Sequence, residues 1–330
     1  NTTGAKNSAF GVFALENNTT GAENVALGKD SLGANTTGPN NTAVGTNSLR
    51  RNTEGEDNTA VGNLALCTNT TGDHNVAVGL SALHKNTTAD NNVAVGTCAS
   101  GCNTDGHSNV SIGFSALCTN TTGDKNIAIG HQSLLSLATA NEIVAIGYNS
   151  LRALTTGTDN TAVGFEAGKS ITTGDRNTAM GYLALSTMTT VADNTAVGYK
   201  AMTANTSGSN NTAVGKDAML ANTTGANNVA IGQNALETST SGGANTAVGQ
   251  LAAQDLTTGA ENTAIGHEAG NNITTGTNNT LLGHEAGTDA VRNVTTGNGN
   301  IVIGNNYAAT AHIKIDWTVT SDLRDKTEIE

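Results

Sequence analysis

Residues 194–227 read NTAVGYKAMTANTSGSN and then NTAVGKDAMLANTTGAN, so one seventeen-residue phrase stands here twice in succession. Its first glycine recurs every 17 residues from Gly11 to Gly283, seventeen times without slippage, and the next one, Gly304, follows after 21. A strict period of this kind predicts a solenoid in which each repeat forms one turn, because turns of equal length stack in register. We call these residues the anchor glycines and count positions of the repeat from them, so that the residue after an anchor is at +1.

Each repeat contains the pattern of a short strand just before its anchor glycine. The residue at −1 is aliphatic, Met or Phe, the residue at −2 is nearly always Ala, and the residue at −3 is Thr, Val, Ile or Ser. This alternation predicts a strand with larger aliphatic side chains on one face and, on the other face, only the methyl group of the Ala at −2. Ala or Ser at +3, usually followed by Leu or Met, predicts a second short strand or extended segment that faces the first across a thin layer.

Between the predicted strands, glycine and asparagine recur at fixed positions of the repeat. The anchor glycine and the glycine of NTTG, at +10, predict corners with positive φ or a close approach of two backbones. Asn occupies −4 in every repeat except at Ile143, which predicts a stacked ladder of side-chain amides. The fold class predicted for residues 1–304 is therefore all-β, a parallel β-solenoid or β-roll of 17-residue repeats.

The composition excludes several classes of function. With 40 glycines, one proline and 3% aromatic residues, the 330-residue chain has few large side chains from which to build a conventional hydrophobic core. A net charge of −12 and only 15 scattered Lys and Arg residues argue against a nucleic-acid partner. No apolar run approaches the length of a membrane span, so we expect no membrane insertion, and no motif indicates a cofactor. The chain starts inside a repeat, which suggests an excerpt of a longer polypeptide.

The small size of the repeated side chains predicts self-association. Each turn offers four or five apolar side chains, mostly Ala and Val, which cover a core poorly even when neighbouring turns stack on it. A single rod of seventeen turns, about 80 Å long at about 4.8 Å per layer, would leave an aliphatic stripe in water. We therefore expect the rods to associate along their axis.

The recurring NTAVG and NVAIG segments resemble the repeats in the heads of Yersinia-adhesin-type trimeric autotransporters. The resemblance covers residues 1–304, although the period of 17 is a few residues longer than is usual for that family. That family's head is a trimer of left-handed parallel β-rolls. The resemblance thus implies a homotrimeric rod, with the extra residues enlarging the NTTG loop.

A second resemblance lies after the repeats. Residues 305–320 alternate apolar and polar residues from Ala311 to Val319 and predict a terminal strand or connector. Residues 321–330 begin with SDLRDKTEI, which resembles the opening of the endosialidase-type intramolecular chaperone of phage tail fibres. That family trimerises the fibre and then cleaves itself, so the resemblance implies Ser321 as the nucleophile and Lys326 as its base. The cleaved bond would be Ser321–Asp322, and Asp325 departs from the usual Leu.

These resemblances predict a structural and receptor-presenting shaft of a trimeric phage tail fibre, located in the virion, that mediates attachment to the bacterial host surface. The expected partners are two further copies of the chain, a bacterial surface glycan or outer-membrane protein, and other tail-fibre or baseplate proteins. The alternative is the head domain of a trimeric autotransporter-type adhesin on the bacterial cell surface. No enzymatic activity is expected apart from autocleavage.

One column of the repeat stands out because six consecutive turns carry a ring at +1. Elsewhere this column is mostly polar, so we expect it to face solvent, where stacked rings could hold sugars. In four of these turns the Asn at +7 is replaced by an apolar residue, which favours an alternative in which the rings pack on these loop residues. The six ligand candidates are Phe114, His131, Tyr148, Phe165, Tyr182 and Tyr199.

Three further patterns are weaker. His267 and His284 stand in adjacent HEAG phrases and are weak metal candidates, although an exposed polar ladder is the commoner arrangement. The threonine columns suggest ice binding only weakly, because the two Thr residues of NTT are consecutive and point to opposite sides. Of the four cysteines, Cys102 and Cys118 would lie on neighbouring layers and could approach, but reduced side chains are the favoured interpretation. The cysteines are Cys67, Cys98, Cys102 and Cys118.

Overall fold

The structure, a computed structural model, describes residues 2–288 and 293–305. In these residues there are 18 three-residue strands and no helix, and each strand pairs in parallel with the next one along the chain. The strands are β1 (Ser8–Phe10), β2 (Val25–Leu27), β3 (Thr42–Val44), β4 (Thr59–Val61), β5 (Val76–Val78), β6 (Val93–Val95), β7 (Val110–Ile112), β8 (Ile127–Ile129), β9 (Val144–Ile146), β10 (Thr161–Val163), β11 (Thr178–Met180), β12 (Thr195–Val197), β13 (Thr212–Val214), β14 (Val229–Ile231), β15 (Thr246–Val248), β16 (Thr263–Ile265), β17 (Thr280–Leu282) and β18 (Ile301–Ile303).

Every strand occupies positions −3 to −1, so the pairing register equals the repeat length. Ala43 of β3 lies beside Ala60 of β4, for example, and this 17-residue offset holds from β1 to β17. Between β17 and β18 the offset is 21 residues, yet Leu281 still pairs with Val302. The all-β parallel solenoid predicted from the sequence is confirmed, and the sheet continues across the one longer step.

The core is thin because it is built from small residues. The Ala at −2 points inward and the Leu or Met at +4 meets it, and both are fully buried in most turns, as in Ala43 and Leu49. The apolar core is divided into two clusters where the usual Ala and Leu are replaced by Ser111 and Ser100. The hydroxyl groups of these two serines hydrogen-bond to each other at 2.8 Å, which satisfies both polar groups in the interior.

The prediction of a second strand at +3 and +4 is wrong. These residues form a turn, because the residues at +2 and +4 have left-handed backbone conformations, as in Asn47 with φ of 60° and Leu49 with φ of 47°. The amide of Asn47 donates to the carbonyl oxygen of Lys29 in the preceding turn, and the amide of Leu49 donates to Ala65 in the next turn. Alternate residues thus bond to the layers on either side, which compensates for the unfavourable conformation.

The predicted Asn ladder at −4 is confirmed. The backbone amide of Asn41 donates to Oδ1 of Asn24 at 2.9 Å, and its Nδ2 donates to the carbonyl oxygen of Gly55 at 2.8 Å. The same pattern repeats in the other turns and is interrupted at Ile143, which still donates its backbone amide to Asn126 but offers no amide to the next turn. The ladder ties each strand to the loop that leads into the following layer.

A second buried ladder, not predicted from the sequence, runs through the Asn residues at +7. Nδ2 of Asn52 donates to Oδ1 of Asn35 at 2.9 Å and to the carbonyl oxygen of Gly55 at 2.8 Å. This ladder extends from Asn18 to Asn120 and resumes at Asn205. Two parallel columns of paired amides therefore border the apolar interior, where unpaired amides would be costly.

Candidate functional site

The six rings at +1 form one continuous row on the surface. Adjacent ring centroids from Phe114 to Tyr199 are 5.1–5.3 Å apart, and the ring planes lie within 7–18° of parallel. The row follows from the repeat itself, because each ring occupies the same position in successive turns that stack in register. The five Phe and Tyr residues are 42–50% exposed, so the prediction that this column faces solvent is confirmed.

The rings do not need the apolar residues at +7 for their arrangement. Leu154 and Ile171 are fully buried in the core, where they take the place of Asn residues of the second ladder. The same replacement occurs at Leu256, whose turn carries Gln at +1, and conversely Phe114 and Tyr199 stand in turns that keep Asn at +7. The two columns therefore vary independently in these turns, and the rings stack on one another whether +7 is apolar or Asn.

The stacking leaves part of each ring available to a ligand. Carbon atoms of rings in direct contact are about 3.5–4.0 Å apart. The centroids are farther apart than this, so near-parallel rings in contact must be offset, and each ring leaves part of its face uncovered. At the end of the row, Nζ of Lys200 lies 5.3 Å from the centroid of Tyr199 and forms a cation–π contact. A flat, apolar ridge with partly open ring faces can bind the CH faces of sugars.

The strands present a second surface feature. Their residues at −1 and −3 point outward and are half-buried or exposed, whereas the residue at −2 points inward. In all 18 strands of the described residues, neither outward position carries a charge. The residue at −1 is apolar throughout, as in Ile146 and Val163, and Thr, Val, Ile or Ser occupies −3. We call this surface the strand face.

Charged residues lie at other positions of the repeat, and those on the loop between +10 and the next strand pair across layers. The guanidinium of Arg176 makes two hydrogen bonds to the carboxylate of Asp193, at 2.7 and 3.0 Å. This contact lowers the pKa of Asp193 and raises the pKa of Arg176. Lys125 and Glu142 form a similar pair at 3.1 Å one turn apart. None of these charged groups lies on the strand face, whereas Glu166 stands at +2 directly after Phe165 of the ring row.

The weak metal candidates stack but do not form a ligand cluster. The rings of His267 and His284 are 5.1 Å apart, and each lies within 3.8 Å of the carboxylate of the Glu that follows it. Within the described part of the chain, no group of three or more His, Cys, Asp or Glu residues is placed to hold a metal ion. The pair resembles a short extension of the ring column into another region of the solenoid.

The cysteines are free thiols, in agreement with the favoured interpretation. The amide of Cys102 donates to the carbonyl oxygen of Cys118 at 3.0 Å, so the pair does lie on neighbouring layers as predicted. Burial raises the pKa of the Cys118 thiol and of the Cys67 thiol. Cys67 is buried and Cys118 is half-buried, and both lie in the turn after an anchor glycine.

The proposed cleavage residues Ser321 and Lys326 lie outside the described residues, as do residues 306–330 as a whole. Within residues 2–288 and 293–305 there is no helix that is long and apolar enough to cross a membrane. No protein-family model matches the chain, and no match is found among the curated proteins.

Proposed function

We propose that the solenoid is the shaft of a homotrimeric fibre that carries a receptor-binding surface to a bacterial envelope. The observation that carries this proposal is the uncharged strand face, which extends over all 18 strands. A continuous apolar and β-branched surface of this length is unusual on a monomer and is typical of an interface between protein chains. Association of three strand faces around a common axis would enclose it.

The thin interior supports the same conclusion. In each turn the buried apolar groups are chiefly one Ala at −2, one Ala or Ser at +3 and one larger residue at +4. The larger aliphatic residues at −1 lie on the outside, where a single chain leaves them partly in water. Burial of these residues between chains would add the hydrophobic stabilisation that the small interior lacks.

The phage tail fibre is the biological setting that we favour, with the adhesin head as the alternative. The resemblance of residues 321–329 to the start of a self-cleaving chaperone supports it, with Ser321 as the nucleophile and Lys326 as the base. A serine hydroxyl needs a neighbouring base to attack a peptide carbonyl, and a lysine in a dry environment can serve. Mass spectrometry of the mature protein is expected to find Ser321 as the last residue. A Ser321→Ala protein that is still shortened at this bond would contradict the assignment.

A charge placed on the strand face tests the association directly. Ile146→Asp with Val163→Asp places two carboxylates at outward positions that a single chain leaves partly exposed. A monomeric solenoid would tolerate them, whereas a trimer would have to bury them, so we expect the double variant to dissociate. The matched control is Gln233→Asp with Gln250→Asp, two exposed +1 positions in adjacent turns, which should leave the association state unchanged.

Attachment is tested with the purified, fluorescently labelled protein on a panel of bacterial strains. The proposal predicts that the trimer binds a restricted set of strains and that the dissociated double variant loses this binding through lost multivalency. Absence of binding to every strain, with the trimer intact, would reject the attachment role while leaving the fibre architecture in place.

A further inference from the structure

The ring row of Phe114, His131, Tyr148, Phe165, Tyr182 and Tyr199 has the geometry of a binding site for a long, regular ligand. We infer that it binds an extended, neutral polysaccharide with equatorial 1,4 linkages, lying parallel to the axis of the solenoid. This inference rests on the proposed attachment function and names the class of receptor. The spacing of the rings, the chemistry of the surface and the charges beside the row support it.

The spacing of the rings fits such a chain. Successive centroids advance by 5.1–5.3 Å with little variation over the six turns. In a chain whose pyranose rings are joined through equatorial positions at opposite ends, the repeat distance is about the length of one sugar. This distance is close to the spacing of the ring centroids. One sugar can therefore lie against each ring without accumulating a mismatch. Axial linkages curve or coil the chain, so they would lose register after one or two sugars.

The row offers both kinds of contact that a sugar needs. The partly uncovered ring faces suit the CH face of a pyranose, which is apolar. The phenol hydroxyl groups of Tyr148, Tyr182 and Tyr199 have no hydrogen-bond partner among the described residues, so they remain available to sugar hydroxyls. The residues at +2 beside the row are mostly polar, including Gln132 and Lys200, and can add hydrogen bonds along one side.

The charges around the row do not favour either sign of ligand. Glu166 forms an ion pair with Lys169 on this side of the turn, and Lys200 lies against the last ring of the row. Arg152 lies in the same hollow as Glu166 and Lys169, so three cations and one carboxylate stand beside the row and disfavour a cationic polymer, while the net charge of −12 of the chain disfavours a strongly anionic one. A neutral glycan fits this arrangement better.

The test uses the intact fibre protein and unbranched β-1,4-linked oligosaccharides, both of glucose and of N-acetylglucosamine, in lengths from two to six sugars. Titration calorimetry should show affinity that rises with each added sugar for at least one of the two series. Malto-oligosaccharides of equal length, with α-1,4 linkages, should bind more weakly. The variant with Tyr148→Ser, Phe165→Ser and Tyr182→Ser removes the centre of the row and should lose about tenfold or more in affinity for the six-sugar ligand.

The matched control carries Leu80→Ser, His267→Ser and His284→Ser, which changes three side chains at the same repeat position outside the row. Its affinity should equal that of the unmodified protein. Equal binding by the row variant, or no binding of either oligosaccharide series, would overturn the inference. A row variant with unchanged glycan affinity but a lower melting temperature of the trimer would also overturn it, by showing that the rings pack between protomers.

The outcomes separate this inference from the proposed function. If the protein attaches to bacteria and the row variant attaches equally well, the glycan site is rejected and the fibre remains. If no trimer forms, the proposed function fails whatever the oligosaccharide titration shows.

Discussion

At the residue scale, the columns of the repeat reflect what the backbone allows at each position. The anchor glycine has φ near 133° at Gly45, and an added Cβ would lie only 2.7 Å from the carbonyl carbon and oxygen of Gly62 in the next turn. Positions +2 and +4 also have positive φ, and in the seventeen repeats none of them is Val, Ile or Thr. β-Branched residues are the least tolerant of that conformation, so side-chain choice here follows from backbone strain.

The anchor glycine should therefore be far more sensitive to substitution than the loop glycine. Gly45→Ala is expected to destabilise the fold by about 2–3 kcal/mol, because its backbone conformation is one that Ala adopts only under strain. An added Cβ at Gly55, at +10, would also come close, 2.6 Å from the carbonyl oxygen of Gly72, but φ is not positive there and the chain carries Ala at the same position in Ala89 and Ala140, so Gly55→Ala should cost less. Thermal unfolding followed by circular dichroism measures both, and equal losses would contradict this account of the anchor.

A single substitution should repair the second Asn ladder where it ends. Asn222 Oδ1 and Ser239 Oγ are both buried and have no hydrogen-bond partner among the described residues. In Ser239→Asn, the new amide would donate to Asn222 Oδ1 and to the carbonyl oxygen of Gly242, as Asn222 itself does with Asn205 and Gly225. We expect a gain of about 1 kcal/mol in the free energy of unfolding. Ser239→Ala is the control, and a Ser239→Asn protein no more stable than this control would contradict the prediction.

The ion pair of Arg176 and Asp193 has a defined pH dependence. Hydrogen bonds from Arg176 lower the pKa of Asp193 in the folded chain below its unfolded value of about 3.9. The pair therefore contributes stability that is complete above the unfolded pKa and is lost as the pH falls through the folded pKa. An NMR titration should find the lowered pKa of Asp193, and Arg176→Gln should return it towards the ordinary value. An unchanged pKa in this variant would refute the pairing in solution.

At the scale of the element, one turn is the unit that stacks, and its contacts are made almost entirely with the turns on either side. Strand pairing, the two Asn ladders and the turn amides all join residues about 17 positions apart. Removing one whole turn should therefore preserve every ladder. Stability in such arrays is expected to vary in a nearly additive way with the number of turns.

Deletion of residues 211–227 tests this directly. The deletion joins Asn210 to Asn228 and keeps the period, so the shortened protein should fold with an unchanged shape of the circular dichroism spectrum and a slightly lower melting temperature. The control deletes only residues 211–222, which breaks the register and should prevent the two halves from stacking as one solenoid. Equal behaviour of the two deletions would contradict a fold based on whole turns.

The strand and its register could be predicted from the sequence, because Ala at −2 and an aliphatic residue at −1 recur without a change of spacing. The pattern at +3 and +4 predicts a strand where the chain forms a turn, because small and aliphatic residues also suit an extended segment. The missing signal was the absence of β-branched residues at these positions, as in Asn47 and Leu49. Similarly, the position of the rings on the surface could be predicted, but their relation to the residues at +7 could not. That relation depends on which side chains point inward, which the structure alone provides.

At the scale of the whole molecule, the solenoid has three surfaces with different properties. The strand face is uncharged, the loop side, from +10 to the next strand, carries ion pairs between layers such as Arg176 with Asp193, and the ring row occupies +1 in six consecutive turns. A rod with one apolar side is suited to association in parallel with identical rods, which would leave the loop side exposed. The net charge of −12 per chain would then surround the fibre and keep it soluble.

The mass of the purified protein in solution tests this account most directly. Sedimentation equilibrium should give three times the 33.1 kDa of one chain, and this mass should persist on dilution into the nanomolar range. The mass of a single chain at micromolar concentration, with the β-sheet signal of circular dichroism intact, would show that the strand face needs no partner and would contradict the trimeric fibre.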